Sequence, residues 1–186
     1  MPTIYVLKSS FQRLLRPACD WLARHDITPN QLTVGTALMS LAEGLWLTLE
    51  PEARLPLLVL PLVLFVRMGL NAIDGMLAKE NGQQSRLGAM LNELGDVISD
   101  TVLYLPFALI PGASPVLVVL IVIAGILAEM TGVVTVQIGA SRRYDGPLGK
   151  SDRAFLFGCI GFMLGVGIKP GLWVDVVLTC LLYTSS

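Results

Sequence analysis

Apolar residues run through this chain in long blocks separated by short polar breaks. The blocks cover about 33–50, 55–78, 88–110, 116–139 and 154–168. A hydrocarbon core of about 30 Å takes about 20 apolar helical residues, so the pattern predicts a series of transmembrane helices. The last run, Leu172 to Tyr183, is short for a straight crossing and carries Asp175. It predicts a partial sixth span or an incomplete C-terminus. Residues 4–25 follow a different rhythm. Phe11, Leu14, Leu15, Ala18 and Leu22 recur at helical spacing, with Ser9, Gln12, Arg13, Arg16, Asp20 and Arg24 mostly opposite. Such a helix lies in the membrane interface, basic side toward anionic headgroups, or packs against the bundle. Pro17 is expected to bend or split it.

The breaks carry helix punctuation. In "DITPNQLT", Thr28 suits an N-cap, Pro29 the first helical position, and Gln31 completes a capping box. "EPEAR", "KENGQQSR", "PGASP", "SRRYDGPLGKSDR" and "KPG" separate the later spans. The predicted architecture is all-α: an integral membrane bundle of about six transmembrane helices preceded by an amphipathic interfacial helix. It forms one domain over 1–186, with 1–28 as the interfacial helix and 29–186 as the bundle.

Composition agrees. A chain of 186 residues that is 54% hydrophobic, with a mean hydropathy of +0.70, is not an ordinary soluble domain. The first apolar run begins too far in for a cleaved signal peptide, so it reads as an uncleaved first span. Cys19, Cys159 and Cys180 follow no metal or redox spacing and read as small helix residues. The net charge of −1 says little, but its layout sets orientation. With the N-terminus in the cytoplasm, Lys8, Arg13, Arg16, Arg24, Lys79, Arg86, Arg142, Arg143, Lys150 and Arg153 all fall inside. Only Arg54 and Lys169 fall outside, and Arg67 lies within a span. Trp21, Trp46 and Trp173 suit interfacial anchors, and His25 an interfacial side chain.

Candidate chemistry lies between the second and third spans, in "NAIDGMLAKENGQQSRLGAMLNELGDVISD" from Asn71 to Asp100. Arg67, Asn71 and Asp74 share one helical face. Gly88, Asn92, Asp96 and Asp100 form a stripe on the next helix, with Asp96 roughly 12 Å and Asp100 roughly 18 Å above Gly88. Asp74 and Asp96 can therefore meet in the inner leaflet, in a cavity open to the cytosol. Ionised carboxylates in hydrocarbon need a polar cavity or a partner. Clustered oxygen ligands suit Mg²⁺ held by one or two carboxylates together with substrate phosphates. Gly75, Ala78 and Gly88 leave room for a ligand or for close helix approach. A proton-relay or packing cluster in a transporter remains the other reading of the spacing. Glu43 and Glu129 are candidates to pair with Arg67 or to mark a lipid route.

The stretch "DGMLAKENGQQSRLGAMLNELGD" resembles the signature of the CDP-alcohol phosphotransferases, D-x-x-D-G-x-x-A-R, then G-x-x-x-D-x-x-x-D. Asp74, Gly75, Ala78, Gly88 and Asp96 match it, and "PNQLT" is similar to the family's start of its first span. The bacterial YnbA-like branch is the part of the family it looks most like. The resemblance implies a divalent metal, Mg²⁺ or Mn²⁺, on the pyrophosphate of a CDP-linked lipid such as CDP-diacylglycerol. It implies attack by the hydroxyl of a small alcohol and release of CMP. Carried over by position, Asn71, Asp74, Asn92 and Asp96 line the metal, with Asp96 the catalytic base. Asp74, Gly75, Ala78, Lys79 and Gly88 line the nucleotide. The basic residues Arg142, Arg143, Lys150 and Arg153 hold an acceptor phosphate or an anionic headgroup, or serve orientation alone. The resemblance also implies a homodimer in the bacterial inner membrane, with N-terminus and active site toward the cytoplasm and no nucleic-acid partner.

This chain departs from the signature in carrying Asn71 and Asn92 where aspartates are expected, and Lys79 for arginine. An amide oxygen ligates a hard cation but brings no charge and takes up no proton as a base would. Two metals close together need charge to balance them, so the loss of two of the expected four carboxylates leaves one metal or two as the open alternatives. Glu93 or Asp100 is a possible auxiliary ligand. A relative that binds a CDP-lipid without turnover, and an ion- or proton-coupled transporter, are the alternatives.

Overall fold

The computed structural model describes residues 3–80, 82, 84–137 and 149–185. Helix α1 (Thr3–Arg24) is followed by α2 (Pro29–Leu49), α3 (Arg54–Glu80) and α4 (Arg86–Tyr104). A 3₁₀ turn over Leu105–Leu109 extends α4, and α5 (Pro115–Gln137), α6 (Lys150–Gly165) and α7 (Leu172–Ser185) complete the chain. Among the described residues there is no strand. The helices α2, α3 and α5 are each long and apolar enough to cross a membrane by length and composition.

Local chemistry sets where the helices begin. Thr28 caps α2 through the predicted box: its Oγ1 accepts from Gln31 N at 3.3 Å, and its N–H donates to Gln31 Oε1 at 2.9 Å. Ser85 caps α4 by accepting from Gly88 N at 2.9 Å. The N–H of Gly149 donates to Asp152 Oδ2 at 3.1 Å at the start of α6. Each contact satisfies a group that a helix end otherwise leaves unpaired.

Small residues bring the spans together. A Cβ on Gly44 of α2 would lie 2.2 Å from the Val102 carbonyl oxygen of α4. On α6, a Cβ on Gly165 would lie 2.7 Å from Leu58 of α3. Close backbone approach of this kind replaces the hydrophobic drive that lipid cannot supply between apolar helices. The buried core runs through Leu60, Leu64, Leu103, Phe107, Val118, Ile121 and Leu178. Tyr104 stacks on Phe157 at 4.2 Å, with Phe107 edge-on to the same ring at 5.1 Å. Leu38, Leu62, Leu127 and Phe155 point outward, as lipid-facing side chains do.

One expectation is corrected here, and the place of Asp175 is explained. Pro17 does not split the first helix, which runs unbroken from Thr3 to Arg24. Pro17 is exposed, so the carbonyl it leaves unpaired one turn earlier can be solvated. Asp175 lies in the first turn of α7 and accepts from the backbone N–H of Ser114 at 2.8 Å, pinning the turn before α5. Its charge serves that turn and not a lipid-facing span.

Helix α1 packs on the C-terminal half of α3. Leu15, Cys19 and Leu22 meet Ile73, Met76 and Leu77, while Leu14 and Trp21 stay exposed. Arg16 Nη1, midway along α1, bonds Glu80 Oε1 at the end of α3 at 3.1 Å.

Candidate active site

The starts of α2 and α4 and the end of α3 enclose a cavity of about 530 Å³, within the usual range for small-molecule sites. Asp74, Gly75, Ala78, Lys79, Gly88 and Asn92 all line it. The resemblance assigned each of these to the metal or the nucleotide. The two glycines work differently. A Cβ on Gly75 would meet nothing within 4 Å, so its bare face opens into the cavity. A Cβ on Gly88 would lie 2.7 Å from Asn30 Oδ1, so Gly88 lets α2 approach α4.

Asp74 is buried, and its Oδ2 accepts from Thr33 Oγ1 at 3.1 Å. It lies within electrostatic reach of both Asp96 and Lys150. Asp96 is half-buried on the facing side of α4. Three donors converge on its Oδ1: Asn71 Nδ2 at 2.7 Å, Arg67 Nη2 at 3.3 Å and the Lys150 ammonium. Arg67 also donates from Nη2 to the Asp96 carbonyl at 3.1 Å and from Nη1 to Asp100 Oδ1. Asp74 and Asp96 thus flank one polar site between α3 and α4, and Asn71 ties the two helices together there.

Asn71 and Asp96 do not themselves line the cavity, and the remaining assigned residues fall elsewhere. Asp100 is buried between Arg67 and Arg153 and does not line the cavity. Arg153 is also buried; it reaches Glu129 Oε1 at 3.3 Å and Asp100 Oδ2 at 3.7 Å. The free space beside it is about 10 Å³, room for one water at most. Glu129 therefore pairs with Arg153, because Arg67 is already held by Asp96 and Asp100 on α4. Glu43 is buried on α2 with no hydrogen-bond partner at Oε1. Glu93 is half-buried on α4 and does not line the cavity. Arg142 and Arg143 lie outside the described residues.

Sequence reasoning passed over several residues that shape the site. Asn30 and Thr33 sit three apart on the first turns of α2 and line the cavity with Gln84, Ser85 and Arg86. Their signal was present in "PNQLT", where two polar side chains share one face at helical spacing. The Lys150 contact with Asp96 joins residues far apart in the chain, and no local pattern marks it.

The donor set fits one hard divalent cation. Asp74 and Asp96 supply carboxylates. The Asn71 amide, which donates through Nδ2, keeps its oxygen free for ligation. Asn92 adds a second amide at the cavity wall. Among the described residues no three His, Cys, Asp or Glu gather to hold a metal. Two carboxylates and two amides are oxygen donors of low total charge, the chemistry that Mg²⁺ completes with water and substrate phosphates.

Comparison with known proteins gives a consistent result. A family model described as CDP-alcohol phosphatidyltransferase matches residues 26–182. Inner membrane protein YnbA of Escherichia coli (strain K12) is 51% identical over 168 residues, covering 90% of this chain and 82% of that protein. Archaetidylinositol phosphate synthase of Aeropyrum pernix is 28% identical over 150 residues, covering 80% of this chain and 74% of that one. Phosphatidylinositol phosphate synthase (PgsA1) of Mycobacterium tuberculosis, solved with CDP-DAG bound, has a TM-score of 0.76 at 19% identity. That alignment covers 93% of this chain and 88% of the other. The same protein in complex with manganese and citrate has a TM-score of 0.76 at 18% identity, covering 92% and 83%. At these identities the solved structures establish a shared fold.

Proposed function

The chain belongs to the CDP-alcohol phosphatidyltransferase family, membrane enzymes that transfer phosphatidyl groups, and from that premise we propose that it moves a substituted phosphoryl group from CDP-diacylglycerol to the hydroxyl of a small alcohol, releasing CMP. The observation that carries this reading is the cavity itself. Asp74, Gly75, Ala78, Lys79, Gly88 and Asn92, drawn from two helices, line one space large enough for a nucleotide.

In this reading the cytidine diphosphate enters between α2 and α4, over the open face of Gly75. Lys79, exposed at the cavity rim, meets phosphate as a point charge. A divalent cation, Mg²⁺ or Mn²⁺, held by Asp74, Asp96 and the amides of Asn71 and Asn92, would neutralise the pyrophosphate when bound. Thr33 fixes the Asp74 carboxylate through its hydrogen bond. Asp96 is oriented through Oδ1, which leaves Oδ2 to take the proton of the attacking hydroxyl. Attack on a phosphoanhydride requires mainly positioning and charge neutralisation, and the site is arranged for both.

Arg142 and Arg143 are the residues proposed for the acceptor phosphate, because Lys150 and Arg153 are engaged with Asp96, Glu129 and Asp100. From the layout of positive residues, the N-terminus and the cavity mouth are proposed to face the cytoplasm, with α1 in the interface. The active unit is proposed as a homodimer in the bacterial inner membrane.

Purified protein supplied with radiolabelled CDP-diacylglycerol, Mg²⁺ or Mn²⁺, and a panel of alcohol and alcohol-phosphate acceptors tests this reading. Acceptor-dependent release of CMP with a new phosphodiester lipid is expected. Metal-dependent CDP binding without CMP release under every acceptor would point to a CDP-lipid-binding protein without turnover, for which the amides at 71 and 92 are the motive.

A further inference from the structure

Lys150 is misplaced by the rules of its own helix. It is the first residue of α6, where the dipole and the free N–H groups favour anions over cations. Asp152, in the same turn, already supplies the anion by accepting from Gly149. Helix formation therefore gives no reason for a lysine here. Its ammonium instead sits on Asp96 Oδ1, across the bundle on α4.

Charge at the site explains that contact. The family signature has acids at all four of positions 71, 74, 92 and 96, and this chain keeps two of them. Two divalent ions held close together need carboxylates to balance them. Here Asn71 and Asn92 bring no charge. The two buried cations nearby are balanced without drawing on Asp74: Arg67 by Asp100 and Asp96, and Arg153 by Glu129 and Asp100. Lys150 thus adds a fixed positive charge to a site that has lost negative charge.

We propose that the Lys150 ammonium, seated on Asp96 Oδ1, is a tethered cation standing in for one divalent ion, so that each protomer takes a single divalent ion. This rests on reading the Asp74–Asp96 site as a CDP-alcohol site. Mn²⁺ bound per protomer is measured by electron paramagnetic resonance of the free ion, with CDP present and without enzymatic turnover. One ion is expected for the native protein, and one for Asn71→Asp/Asn92→Asp, because Lys150 still excludes the second. Two are expected once Lys150→Met is added to that pair, and Lys150→Arg in the same background returns the number to one. Two ions in the native protein, two in the Asn71→Asp/Asn92→Asp protein with Lys150 in place, or one in the triple variant would each overturn the proposal. Lys150→Met alone, which adds no charge to be buried, should bind its one ion roughly tenfold tighter; unchanged affinity would count equally against it. A native protein that binds no Mn²⁺ would overturn the metal part of the functional reading as well, whereas the other failures leave that reading standing.

Discussion

At the scale of single residues, acids that look alike in the sequence do different jobs. Asp74 lines the cavity and Asp96 lies behind it, held by Asn71, Arg67 and Lys150, whereas Asp100 is shared between Arg67 and Arg153 in a buried network. Asp74→Ala and Asp96→Ala are therefore expected to abolish CMP release. Asp100→Ala should retain part of the activity and instead lower stability by about 3 kcal/mol, because it leaves two buried guanidinium groups short of a counter-charge. CMP-release assays beside unfolding in detergent separate the two outcomes. Thr33→Val removes the hydrogen bond to Asp74; a bond to a charged group is worth about 1.5 kcal/mol, so stability should fall by about that amount, and activity by roughly tenfold as Asp74 loses its orientation. The stripe at Asn92, Asp96 and Asp100 was legible from helical spacing, and so was the face shared by Arg67, Asn71 and Asp74. Which acid faces the cavity was not, because that depends on where Arg153 and Lys150 arrive from α6. The lack of a hydrogen-bond partner at Glu43 Oε1 among the described residues was equally hidden, since its sequence neighbours do not reveal what packs over it.

At the scale of elements, the order and ends of the helices follow from polar breaks and capping residues. The Thr28–Gln31 box and the apolar blocks fall where the pattern put them. How tightly two helices cross was not legible, because a glycine in an apolar run has several uses. Gly44 illustrates this. An added methyl would strike the Val102 carbonyl, so Gly44→Ala should destabilise the α2–α4 pair by about 1–3 kcal/mol. The nearby Gly35→Ala, with nothing within 4 Å, should cost nothing measurable. Comparing their unfolding midpoints checks the crossing directly. Docking of α1 has its own reporter. Burial, reinforced by Glu80 and Asp20 and opposed by Arg16, pushes the Cys19 thiol above its ordinary value. The thiolate is the reactive form, so raising the pH through 8 to 9, where an ordinary thiol ionises, should leave Cys19 slow toward maleimide in detergent. The same thiol should label readily once the protein is unfolded. Fast labelling of Cys19 would mean that α1 is not held against α3.

At the scale of the whole molecule, a lipid-facing exterior surrounds a polar site confined to one end of the bundle. The starts of α2, α4 and α6 and the end of α3 converge there, and its residues come from opposite ends of the sequence. That convergence makes the central claim testable by binding alone. Gly75→Leu adds a side chain that meets no protein atom near its Cβ but grows into the cavity. It should therefore spare the fold while filling the nucleotide site. Calorimetric titration of CDP into the purified protein with Mg²⁺ is the direct measurement. Binding of one CDP per protomer is expected, lost without Mg²⁺, lost in Asp74→Ala, and lost in a Gly75→Leu protein whose unfolding midpoint is unchanged. Undiminished CDP binding by a folded Gly75→Leu protein would place the nucleotide somewhere other than between α2, α3 and α4.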